Sequence, residues 1–196
     1  MKKHQFLKLI ALFLLVVTHE SFAQKVNLES LLARAVSLSE SGKKTELAET
    51  LKSGSFALES EANTRGNEMK DKLLGQADAL KGLIPLASEG TLKTDVLSKV
   101  VNTIRLLVGA NRINNLLGEG KEALLGNAEE LTASISMLQL GKTALDGKQQ
   151  DKLGSLLDAA SEPVKKLDDE DTGAKMAASA VKKTLGKIVD LVKEAV

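Results

Sequence analysis

From residue 27 onward apolar positions recur every three or four residues, the spacing of one helix face at about 3.6 residues per turn, and no stretch alternates as a half-buried strand does. Asn27 is placed to open the first helix, its side chain accepting an amide of the first turn, with Val26 set to staple onto Leu31. That helix is expected to run to about Ser41 and to close on a left-handed Gly42. Thr45 to Lys52 reads as a short continuation halted by Ser53-Gly54-Ser55. The second helix, about Ser55 to Leu83, places Leu58, Ala62, Gly66, Met69, Leu73, Ala77, Leu80 and Ile84 in one narrow stripe, and Pro85 is expected to end it. Gly66 lies inside the stripe, where a missing side chain lets a partner helix approach closely.

The third helix, from Thr91 or Thr94 to Gly118, is apolar on two sides: Val96, Val100, Ile104 and Leu107 on one, Leu106, Ala110, Ile113 and Leu117 on the other. A helix apolar on both sides belongs at the centre of a bundle. Gly118 and Gly120 then break the chain. A fourth helix to about Leu140 uses Leu124, Leu131, Ile135 and Leu138, with Gly141 as its cap. The fifth, about Lys148 to Leu167, buries Leu153, Leu156, Leu157 and Ala160, with Pro163 bending or interrupting it. The acidic run Asp168 to Asp171 precedes the sixth, which continues to the C-terminus and segregates its residues most completely: Val181, Leu185, Ile188, Val189 and Val192 on one half, Lys175, Lys182, Lys183 and Lys187 on the other. That helix is expected to pack into the core in preference to docking on a membrane, because its apolar half lacks the Trp or Phe that anchor interfacial helices. Together these elements predict an all-α fold, a single-domain bundle of five or six mostly antiparallel amphipathic helices spanning residues 24–196.

Residues 1–23 follow a different pattern. Lys2, Lys3 and Lys8 precede the uninterrupted apolar run Leu9 to Val17, and Ser21-Phe22-Ala23 supplies small residues before a cut ahead of Gln24. This predicts a cleaved secretory signal peptide and a periplasmic or extracellular destination; the run is well short of the roughly 20 apolar residues that cross a bilayer. No integral membrane protein is expected. Composition narrows the chemistry further, because the chain has no Cys, Trp or Tyr and its two histidines, His4 and His19, lie in the export segment. Imidazole and thiolate catalysis and the usual zinc, copper and haem ligands are thereby excluded from the mature chain. Of 27 basic and 26 acidic residues, removal of Lys2, Lys3, Lys8 and Glu20 leaves 24 and 25, so phosphate neutralisation has no net charge to draw on and no nucleic-acid partner is expected.

Four patterns imitate chemical motifs. Gly118-Glu119-Gly120-Lys121-Glu122-Ala123 meets the loose dinucleotide fingerprint but follows a helix where a strand is required. Ser136 to Thr143 imitates a phosphate-binding loop with Ser in place of its first Gly. Ser41 with Lys44 and Ser179 with Lys182 have a serine–lysine nucleophile spacing that chance alone supplies, and the companion motifs are missing. Asp168, Glu170 and Thr172 open a calcium-like loop whose twelfth position is Ser179, where a bidentate Glu is needed, so they are better read as acids favouring the start of the last helix. Glu129 and Glu130 diverge by about 100° as adjacent helical residues and do not converge on one bond. Phe56, the mature chain's single aromatic residue, is expected as a core or capping contact.

No catalytic, cofactor-binding or metal-ligating residue emerges. The expected function is a non-enzymatic exported interaction or structural module with a protein partner. The alternative is a carrier of a lipid or other apolar ligand, held in a cavity or by opening of the bundle.

Overall fold

The Asn27 side chain accepts the Glu29 amide at 3.1 Å and starts α1 (Leu28–Glu40). Its end has the expected geometry: Gly42 takes φ +67°, and the Lys43 amide returns to the Leu38 carbonyl at 3.1 Å in a Schellman closure. The computed structural model describes residues 27–169 and 172–196, so the export segment, Val26, Glu170 and Asp171 lie outside the described residues. After α1 come α2 (Lys44–Arg65), α3 (Lys70–Glu89), α4 (Thr94–Gly118), α5 (Ala128–Gly141), α6 (Gly147–Lys165) and α7 (Thr172–Ala195). Short 3-10 turns at Asn67–Met69, Glu122–Leu124 and Lys142–Ala144 join some of them, and the described residues contain no strand. The fold is all-α, with seven α-helices among the described residues where the sequence pattern suggested five or six.

The extra helix comes from the second predicted element. Ser53-Gly54-Ser55 does not halt α2, because the Ser53 and Ser55 hydroxyls donate to the Glu49 and Lys52 carbonyls of the same helix at 3.0 and 2.8 Å. The chain reverses instead at Gly66. A Cβ there would overlap the Ala62 carbonyl oxygen and lie 2.8 Å from the Lys70 Cα, so the glycine serves the turn and does not admit a partner helix. Asn67 follows in the left-handed region at φ +41°. The stripe survives the reversal because both arms of the hairpin face one core: Leu58 and Ala62 from α2, Met69, Leu73, Ala77 and Leu80 from α3 are all buried. Pro85 does not end α3, which continues to Glu89 and closes on Gly90 at φ +75°.

α4 is the central helix, as its two apolar sides predict, and packs against α1, α2, α3, α5 and α7. Six consecutive residues, Leu106 to Asn111, are buried on all sides. Val96 is exposed, and Leu97 and Val101 take the inward positions. Against α4 the helix α5 runs antiparallel at backbone contact: a Cβ on Gly109 would lie 2.8 Å from the Ser134 carbonyl, and one on Gly141 2.6 Å from the Asn102 carbonyl and 2.9 Å from the Leu106 amide nitrogen. Gly141, expected as the helix cap, has φ −78° and is a close-approach residue. The Arg105 guanidinium ties α4 to α1 through Glu29, with Nη2 at 2.6 Å and Nε at 3.0 Å from Oε1.

Four further expectations shift. Leu124 is buried but belongs to a 3-10 turn, and α5 begins only at Ala128. There the Ala128 amide donates to the Asp168 carboxylate at 3.1 Å, so this acid of the 168–171 run caps α5 from a distance. α6 continues through Pro163 to Lys165. Phe56 lies mid-helix in α2, 56% exposed, and is no core contact. α7 behaves as predicted: Val181, Leu185, Ile188, Val189 and Val192 are buried, and Lys72 of α3 donates to the Lys193 and Val196 carbonyls at 2.7 and 2.8 Å, closing the helix end.

Candidate functional site

A helix C-terminus leaves carbonyls without intrahelical donors. At the end of α2 the Arg65 carbonyl is met by two side chains of α4 one turn apart, Asn111 and Asn115, each donating its amide at 2.9 Å. Asn115 in turn accepts from Asn67 at 2.7 Å, which holds the left-handed residue of the turn. Asn111 is fully buried, and its Oδ1 has no hydrogen-bond partner among the described residues.

Two surface depressions open beside this corner, of about 720 and 630 Å³. Thr64, Arg65, Arg112 and Glu130 line both, so the depressions adjoin as two lobes of one cleft with these residues between them. The first lobe adds Asn67, Glu68, Asn114, Asn115, Glu119 and Asn127 with Leu116 and Gly118; the second adds Asn27, Ser60 and Glu61 with Leu28 and Ala57. Arg112 is held in place by Glu61, Nε to Oε1 at 3.0 Å, with the two side chains only 21% and 14% exposed, and its Nη1 lies 3.9 Å from the Met137 sulfur. At the rim Lys193 of α7 pairs with Glu68, and that donated hydrogen bond, followed by the lysine charge, holds the Glu68 carboxyl below its ordinary pKa. Arg65, Glu119 and Glu130 have no ion-pair partner among the described residues.

The imitated motifs do not assemble. Gly118 ends α4 and Gly120 takes φ +101° before a 3-10 turn, a break between helical elements. Ser136 to Thr143 lies in α5 and the 3-10 turn after it, with Gly141 buried against α4, so no phosphate-cradling loop exists there. The Ser41 hydroxyl donates to the Ser37 carbonyl at 2.6 Å while the Lys44 ammonium reaches the Glu89 carbonyl at 3.2 Å, and Ser179 donates to the Lys175 carbonyl at 3.3 Å. Among the described residues no group of three or more acidic side chains is arranged to hold a metal ion, and no helix is long and apolar enough to cross a membrane. Of the Glu129 and Glu130 pair, only Glu130 faces the cleft. The sequence did carry a signal for this site, the polar insert Asn111-Arg112 and Asn114-Asn115 in the central helix, which helical periodicity alone passes over.

Comparison with family models, with curated proteins and with solved structures gives no match.

Proposed function

We propose that the protein is exported and works, without catalysing a reaction, as a helical module that engages a protein partner at this cleft. The observation that carries the reading is the cleft itself: an open concavity of mixed polar and apolar lining in which Arg112 is fixed by Glu61 while Arg65, Glu119 and Glu130 have no ion-pair partner among the described residues. The Lys2, Lys3 and Lys8 start, the Leu9 to Val17 run and Ala23 support export to the periplasm or beyond, and N-terminal sequencing of the protein recovered from an exported fraction should then begin at Gln24. A photo-reactive residue replacing Asn114 should cross-link the mature chain to a protein in its native compartment, whereas one replacing Ser155 on the exposed face of α6 should not. Equal cross-linking from both positions would overturn the cleft as the contact site, and native mass spectrometry showing a co-purifying lipid in place of a protein would overturn the reading in favour of an apolar-ligand carrier.

A further inference from the structure

The α6–α7 hairpin sorts its lysines from its acids. In α7, Lys175, Lys182, Lys183 and Lys187 are exposed and make no ion pair among the described residues, and no acidic residue precedes Asp190 in that helix. At about 100° per residue, Met176, Lys183 and Lys187 lie on the side opposite the buried Leu185. Met176 is 76% exposed, the most open large apolar side chain among the described residues. In α6 the Asp158 carboxylate accepts from Gln139 of α5 at 3.4 Å, and Asp151 and Glu162 fall on the same edge, two turns before it and one turn after. Lys148 and Lys152 fall instead on the outward side, away from the buried Leu157, with Lys166 following past the helix end. Because α6 packs against both α5 and α7, its acids line the α5 edge while its lysines continue the outer surface of α7.

Two properties of this surface select its counterpart. It is broad: α7, with 24 residues, is about 36 Å long, so a small anion meets one or two ammonium groups where an anionic plane meets them together. It also places Met176 among the lysines, an apolar group that gains by leaving water. A soluble polyanion offers that side chain nowhere to bury, whereas lipid does. Lysine is depleted at protein–protein interfaces, and one methionine supplies no apolar centre for such a contact. We propose that the outer surface of the α6–α7 hairpin docks the folded protein on an anionic lipid bilayer, the lysines at the headgroups and Met176 entering the boundary with the acyl chains. The apolar half of α7 stays in the core, where Leu185 and Ile188 have no exposure, so docking needs no opening of the bundle. This surface shares no residue with the lining of the cleft and goes beyond the protein contact proposed there.

The test uses the full mature chain and vesicles of equal parts phosphatidylglycerol and phosphatidylcholine. Sedimentation should show binding to these and none to pure phosphatidylcholine, and the binding should fall steeply as salt rises. Lys183→Gln/Lys187→Gln should weaken it about twentyfold, each lysine near such a surface contributing about fivefold, with thermal unfolding unchanged. Arg34→Gln/Lys52→Gln removes the same charge from the exposed faces of α1 and α2 and should leave binding nearly unchanged. Since the chain has no Trp, Met176→Trp and Phe56→Trp each introduce a single indole, and only the first should shift its emission to the blue on binding. The proposal is overturned by equal binding to pure phosphatidylcholine, by equal losses from the two double variants, or by a blue shift at position 56 in place of 176. Competition by soluble polyglutamate as tight as the vesicles would make this a general polyanion surface and overturn it too, as would loss of helical circular dichroism on binding. Cross-linking from position 114 reads the cleft separately and stands or falls independently of these outcomes.

Discussion

The two halves of α4 are built on opposite principles. Its first half, through Ala110, meets α5 across Gly109 and Gly141 with backbones touching and large apolar side chains fully buried. Its second half presents Asn111, Arg112, Asn114 and Asn115 to the α2–α3 corner and forms one wall of the cleft. Dry burial contributes about 1.5–3 kcal/mol per large side chain and needs no directional partner, whereas each polar group of the second half must be matched or left to solvent. One helix thereby supplies rigidity at one end and uncommitted hydrogen-bonding capacity at the other.

The comparison breaks most completely if charge enters the dry core. Ile188 of α7 has no exposure, so Ile188→Asp should remove about 4 kcal/mol or more of folding free energy, read as a collapse of the urea midpoint in lipid-free buffer. Unchanged melting with lost binding to anionic vesicles would instead make α7 a membrane element.

Gly141→Ala probes the crossing itself. Its Cβ meets two backbone atoms of α4, which cannot swing aside, so the helices must separate at a cost of about 2–3 kcal/mol by chemical denaturation. Tolerance within about 0.5 kcal/mol would show that the crossing is looser than its geometry.

Within the cleft the effects should divide by burial. Asn111→Ala removes one of the two donors to the Arg65 carbonyl and should destabilise by about 1–2 kcal/mol, while Arg65→Gln, on an exposed side chain, should stay within about 0.5 kcal/mol. Equal costs would erase the distinction between a structural floor and a free wall.

The smallest effect concerns acid. Lys193 holds the Glu68 carboxyl below its ordinary pKa, so the folded state binds this proton more weakly than the unfolded state does. The stabilisation is present above the ordinary carboxylate pKa and lost as pH falls through the lowered one. Because the pair is exposed, Glu68→Gln should change the acid side of the stability–pH curve only slightly, and more at low salt than at high.

Local signals in the sequence match the structure where a residue acts on its own turn. Asn27 caps α1, Gly42 closes it, and the two-sided pattern of α4 and the split faces of α7 predict which side each helix buries. Periodicity failed where chain direction mattered: the stripe from Leu58 to Leu80 reads as one helix, since both arms of the hairpin keep the same buried face. The cleft was less legible still. Its residues come from α2, the Asn67–Met69 turn, α4 and α5, and the asparagines in α4 are polar positions whose partners lie about 50 residues away along the chain.

The sequence by itself therefore determined the helical class, the central helix and the amphipathic last helix, because propensity, caps and apolar spacing act within a few residues. Tertiary structure alone decided the reversal at Gly66, the use of Gly141 as a contact in place of a cap, the recruitment of Asp168 to α5, and the meeting of Arg65, Arg112 and Glu130. The physical reason is common to all four. Each depends on which distant backbone or side chain fills the neighbouring space, and a 3.6-residue period reports that a face is buried without reporting against what.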